Sequence, residues 1–277
     1  MSAPSSSSTR PTPPITSRTT AGNPMAAAPA MPTRQSEPKR VVRREYLRSS
    51  SLAPEQRCGF VHQLYEIYSE TTFGCTYDEF AAVVFSAGDG RFVLCYGEHD
   101  EFAGFSYTAI DHMEHQGRTY AVMNAGVFFR PGYHGGSITG FFGLRQALRF
   151  KLRHPLTQLA YVTRCSTPAV YRLLATVPRI YPNRNHQTPA DVEALARAAC
   201  AQRKYVPVGT NPWVVRSAAV PRDASRLRSL EHDPDVRFYN ELAPGYAEGT
   251  SLVVWLPLDV ANIAGGFVRL MYRRMMR

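Results

Sequence analysis

Tyr120–Leu148 reads YAVMNAGVFFRPGYHGGSITGFFGLRQAL. The apolar run from Ala121 to Phe129 has the composition of a buried strand. It breaks at Arg130-Pro131-Gly132 and passes through a turn of small residues, Tyr133-His134-Gly135-Gly136-Ser137. From Ile138 to Leu152 apolar side chains return at near-helical spacing: Ile138, Phe141, Phe142, Leu148 and Leu152. A helix that starts on such a turn presents unpaired backbone N–H groups and the positive end of its dipole. Lacking Cβ atoms, Gly135 and Gly136 let an anion approach those groups. The unit reads as a phosphate cradle, set against the plainer alternative of a glycine loop that binds nothing. It is neither the dinucleotide fingerprint nor the P-loop.

A second apolar segment, Gln158–Thr163, follows the helix. After it come Arg164-Cys165-Ser166-Thr167-Pro168 and another helical stretch, Ala169 to Val177. This order resembles the acyl-CoA-dependent N-acyltransferases of the GNAT superfamily. There a strand feeds a pyrophosphate loop of the form R/Q-x-x-G-x-G/A, then a helix, a diverging strand and an Asn-Pro-led helix. Tyr133-His134-Gly135-Gly136-Ser137-Ile138 stands in the loop's place and Thr167-Pro168 in the Asn-Pro place. Gly132 replaces the expected Gln or Arg, and Ser137 the second Gly or Ala. The position of the family's general-acid tyrosine holds Leu174, with Tyr171 one turn earlier.

The resemblance implies an α/β (α+β) fold: a mixed, mostly antiparallel central sheet with helices on both faces, here with a C-terminal extension. It also implies a direct attack by an amine on the thioester of acetyl-CoA or a longer acyl-CoA. Backbone N–H groups of His134, Gly135, Gly136, Ser137 and Ile138 would hold the pyrophosphate. Val127, Phe128 and Phe129 would line the pantetheine arm in a gap between two splayed strands, Tyr161 to Cys165 would form the opposite wall, and Thr167 would be a further cofactor contact. Tyr171 as acid and His134 as base complete the expected site. No Asp or Glu lies between Tyr120 and Phe129, so a catalytically inactive binding module stands beside the enzyme reading. Enlarged members of the superfamily, such as N-acyl amino acid synthases, take acyl groups from acyl carrier protein, a second donor to consider.

Composition narrows the partners. The chain has 277 residues and a formal charge of +10. That charge is confined to the ends: residues 1–50 and 269–277 are basic, and the body between them is neutral. A neutral body argues against a nucleic-acid face. The five cysteines, Cys58, Cys75, Cys95, Cys165 and Cys200, are scattered, as in reduced cytoplasmic proteins. No apolar leader marks the N-terminus. His112, Glu114 and His115 lack a further ligand at metal spacing, so no metal is expected.

Four segments follow. Residues 1–40, rich in Ser, Thr, Pro and Ala, read as a disordered tail. Residues 41–182 hold the GNAT-like domain. It opens with a strand at Val41–Leu47, helices from Pro54 and Tyr77, and strands Arg91–Gly97 and Glu101–Asp111 joined to the central strand by a turn at His112–Gly117. Tyr65, Glu66 and Tyr68 are candidates for the acceptor side, or half-buried core aromatics. Residues 183–259 are the extension, completing the sheet or the acceptor pocket. Residues 260–277 read as a basic amphipathic helix, suited to an anionic membrane, to an acidic carrier protein, or to simple docking. The expected acceptor is a small-molecule amine. A peripheral protein at the inner membrane face, or a scaffold working through its basic tails, is the remaining alternative.

Overall fold

The computed structural model describes residues 39–85, 88–133, 135–222 and 230–275. Nearly all of the 1–40 segment, together with His134 and the last two residues, lies outside them. Seven strands form the main sheet in the order β1-β3-β4-β5-β6-β9-β7. They are β1 (Arg43–Arg48), β3 (Arg91–Tyr96), β4 (Phe102–His115), β5 (Arg118–Phe129), β6 (Gln158–Cys165), β9 (Thr250–Pro257) and β7 (Val214–Arg216). β5 and β6 are parallel; every other neighbouring pair is antiparallel. A two-stranded sheet joins β2 (Thr72–Phe73) to β8 (Val220–Pro221).

Alternation along the strands assigns the helices to faces. On the front, Phe92, Leu94, Phe105, Tyr107 and Phe128 pack with α1 (Pro54–Thr71) and α2 (Tyr77–Val84). These helices form because Phe60, Leu64, Ile67 and Tyr68 make one stripe, and because Thr76 and Glu79 close a capping box at the start of α2. On the back, Val93 and Cys95 meet Phe142 of α3 (Gly136–Arg153). Also on the back, Tyr171 of α4 (Pro168–Ala175) and Tyr239 of α6 (Pro234–Leu242) are fully buried close to Cys165. The chain therefore has a mixed, mostly antiparallel sheet with helices on both faces.

One detail corrects the sequence reading and two refine it. β4 runs to His115 rather than ending at Asp111, because the turn is only Gln116-Gly117, both at positive φ (49° and 72°). His112 and His115 consequently point to opposite faces of the strand. Second, α7 (Val260–Met275) is continuous through Gly265-Gly266. Gly266 sits where a Cβ would come within 2.9 Å of Leu144 Cδ1, so here the glycine allows two helices to approach rather than breaking one. Third, the extension does two things: β9 and β7 complete the sheet, and β8 folds back onto β2 at the end of α1.

Candidate active site

The parallel pair is short. Tyr120–Met123 align with Gln158–Tyr161, and there the ladder ends. Beyond it, Asn124–Phe129 remain paired only with Gly104–Ala109 of β4, while β6 pairs only with β9 as far as Cys165. The backbone edge of β5 from Asn124 to Phe129 thus opens onto a fork. Parallel strands that separate leave amide groups needing partners. At the apex one side chain joins the two strands. Arg203, which follows α5 (Ala190–Gln202), donates from Nη1 to the Val162 carbonyl at 2.7 Å and from Nη2 to the Val122 carbonyl at 3.2 Å. Its side chain is nearly buried, with the Asp111 carboxylate 3.7 Å away. One planar guanidinium bridges both strands just where they part, a geometry the ammonium of lysine cannot reproduce.

The open edge leads into the glycine turn. Tyr133 is buried there, and its hydroxyl donates to Glu101 Oε2 at 2.7 Å. That hydrogen bond, then Lys39, holds the Glu101 carboxyl below its usual range, and the same bond pushes the Tyr133 hydroxyl up to about 12. Gly135 precedes α3, and a Cβ on it would lie 2.6 Å from Thr139 Cγ2 and 2.7 Å from the Phe129 ring. Only glycine fits this contact between the turn and the end of β5. Beside the first two turns of α3, Ser137, Ile138, Arg44 and Arg145 line a cavity of about 360 Å³. Neither guanidinium was singled out from the sequence. Arg44 lies on an edge strand and Arg145 two turns beyond Ser137, and no local motif links them.

The structure places the other expected site residues as follows. Val127 is half exposed on the open edge. Phe128 turns its ring into the front core, 5.5 Å from Tyr68 and 5.3 Å from Phe105, while Phe129 packs on the back with Val93, Cys95 and Phe142. These two phenylalanines therefore offer backbone rather than side chain to the gap. Gly136 begins α3, and the Ile138 amide is already bonded to the Gly135 carbonyl at 2.9 Å. Thr167 caps α4, its Oγ1 accepting from the Val170 amide at 3.3 Å. His134 lies outside the described residues.

Tyr171 requires a correction. It is fully buried, packed against Phe238 and Tyr239, and its hydroxyl donates to the Pro182 carbonyl at 3.0 Å. Burial raises its pKa. In this position the hydroxyl serves the core, as the partner of the Pro182 carbonyl. Cys165 is likewise fully buried and its thiol pushed up, the state of a packed rather than a nucleophilic cysteine. Tyr68 is also core: its hydroxyl donates to the Ala218 carbonyl at 2.6 Å and accepts from the Cys75 amide at 2.7 Å. Tyr65 donates to the Cys75 carbonyl. Nearby, Glu70 is committed to a two-bond ion pair with Arg130, at 2.7 Å each.

No family model matches the chain, and no curated protein matches it. Solved structures do. Escherichia coli ElaA is 12% identical with a TM-score of 0.31, covering 53% of this chain and 93% of its own. The integron cassette protein VCH_CASS6 from the mobile metagenome of V. cholerae is 14% identical at a TM-score of 0.33, covering 55% and 97%. Malonyl-CoA decarboxylase from Rhodopseudomonas palustris is 14% identical at 0.33, over 83% of this chain and 59% of its own.

Proposed function

We propose that the chain is an N-acyltransferase that moves an acyl group from acetyl-CoA, a longer acyl-CoA or an acyl carrier protein to a small amine. The observation that carries this reading is the open edge of β5 from Asn124 to Phe129, held apart from β6 above Arg203. An extended amide-bearing arm adds to such an edge as an extra strand would. Gly135 supplies the fit at the far end, since any side chain there would fill the space between the turn and Phe129. The donor supplies an activated carbonyl on a thioester. The backbone N–H groups of Val127 and Phe129, which alternate away from β4, would orient that carbonyl and stabilise its developing negative charge. His134, Gly135, Gly136 and Ser137 would hold the phosphates, with Arg44 and Arg145 adding positive charge beside the same turns.

The amine would attack the carbonyl carbon, the C–S bond would break, and the amine's proton would leave through His134 or water. With Tyr171 sealed, the thiolate would depart unprotonated or take its proton from solvent. A catalytically silent thioester-binding module is the second reading, and the burial of Tyr171 favours it. A third role belongs to α7. Val260, Val268, Met271 and Met275 are exposed on it, among the basic residues of the C-terminus. That pattern suits a membrane surface or an acidic carrier. No helix among the described residues is long and apolar enough to cross a membrane.

The test is thiol release from acetyl-, octanoyl- and palmitoyl-CoA, with and without pools of amino acids and polyamines. Acceptor-dependent release with at least one donor is expected. Donor binding without release would leave the silent module. Neither binding nor release, with a carrier-protein donor included, would overturn the proposal.

A further inference from the structure

A second cavity, of about 340 Å³, lies at the end of α3 remote from the glycine turn. Arg91, His112, Gln146, Arg149, Arg153 and His154 line it, with Phe150 and Ile110 forming an apolar wall. Two observations set it apart from an ordinary basic surface. The first is charge. Among the described residues Asp89 is the only carboxylate in the lining, and it already answers Arg48 at 2.7 Å, Ser50 at 3.1 Å and Arg91 at 3.1 Å. Burial, and after it the guanidinium groups of Arg48, Arg149 and Arg153, hold the pKa of Arg91 down against the raising effect of Asp89. Cations in the last turn of a helix are favoured by its dipole, which accounts for Lys151 and Arg153. It does not account for Arg91, which comes from β3.

The second observation is Gln146. It is only 8% exposed, and its Oε1 is buried with no hydrogen-bond partner. A buried amide oxygen left unsatisfied is costly, and Gln146 is one of the residues that line the cavity. Guanidinium groups from a strand and a helix, two imidazoles and an unpaired amide together match an anion that also carries a donor. The size is that of a small-molecule site.

We propose that this cavity binds a hydroxyl-bearing phosphomonoester of about sugar size. Arg91, Arg149 and Arg153 take the phosphate oxygens through charge-assisted hydrogen bonds. The Gln146 amide pairs with a ligand hydroxyl, and Phe150 and Ile110 pack against the carbon skeleton. The site is independent of the acyltransferase reading, because it lies at the opposite end of α3 and shares none of its residues with the fork.

Calorimetric titration of the full chain with ribose 5-phosphate and with inorganic phosphate tests it. Ribose 5-phosphate is expected to bind more tightly than inorganic phosphate. The double variant Arg149→Ser/Arg153→Ser, both exposed positions, should weaken both ligands roughly tenfold or more, since each charge-assisted bond is worth at least about that factor. Arg118→Ser/Arg237→Ser removes the same charge elsewhere and should leave both affinities within about twofold, as rim-distant charges do at moderate salt. Gln146→Leu should fold, keep phosphate binding and lose the preference for the sugar phosphate. Absence of saturable binding at millimolar ligand, or equal weakening by the two double variants, would overturn the site. Equal affinity of the wild type for both ligands would overturn the role of Gln146.

Discussion

An Arg203→Met protein is expected to be about 3 kcal/mol less stable than the wild type, and to lose any affinity for a thioester donor. The stem length and apolar packing are kept; what goes is the bridge between the Val162 and Val122 carbonyls. Hydrogen bonds from a charged donor contribute about 1.5–3 kcal/mol each, and Asp111 loses its cation as well. The partly accessible position of Asp111 moderates that last effect. Arg203→Lys should recover little, because an ammonium cannot span two carbonyls with the geometry of a guanidinium. Denaturant midpoints for the three proteins check the stability. A loss much below 1 kcal/mol in Arg203→Met would mean that the fork holds its shape without this bridge.

The second large effect concerns Tyr171. Tyr171→Phe should cost about 1–3 kcal/mol by leaving the buried Pro182 carbonyl without its donor. Tyr171→Ala should cost about 3–5 kcal/mol, since it also opens a cavity beside Phe238 and Tyr239. Because the hydroxyl faces the interior, Tyr171→Phe is expected to leave the rate of acyl transfer per folded molecule, and its pH profile, unchanged. A fall of tenfold or more in kcat at full folding, roughly the least that loss of a general acid produces, would restore the tyrosine to the chemistry.

The contrast between these residues shows what the chain reveals before it folds. The strand, glycine turn and helix from Ala121 to Leu152 were legible because periodicity and glycine placement are local. The observed elements, Arg118–Phe129 and Gly136–Arg153, extend those bounds by a few residues. Local signals also gave α1, α2 and the C-terminal helix. The end of β4 was missed because Gln116-Gly117 is not among the residue pairs that announce a two-residue hairpin. The fork itself was expected from family resemblance alone.

What closes the fork was not legible at all. Arg203 is distant in sequence from both Val122 and Val162, and an arginine after a helix reads as a solvated C-terminal charge. Tyr171 failed for the same reason from the other side. Its position on α4 resembled that of an acid, and only the packing of Tyr239, Phe238 and Pro182 shows that it is enclosed. Tertiary partners decide whether a polar side chain works on a ligand or holds the core. The cavity beside Gln146 and Arg149 likewise joins β3, β4 and α3, which no window of sequence brings together.

The most direct measurement of the central claim is the melting temperature of the full chain with coenzyme A, acetyl-CoA and palmitoyl-CoA, for the wild type and for Ser137→Glu. A carboxylate in the first turn of α3 favours the free helix through its dipole, beside Arg44 and Arg145, so the variant should be at least as stable as the wild type without ligand. It should also repel a phosphate at the same turn. The wild type at 100 times its dissociation constant is expected to gain about 2.7 kcal/mol, seen as a clear upward shift, and Ser137→Glu is expected to show none. A wild type unmoved by all three donors, or a shift that survives in Ser137→Glu, would contradict a CoA site at this turn.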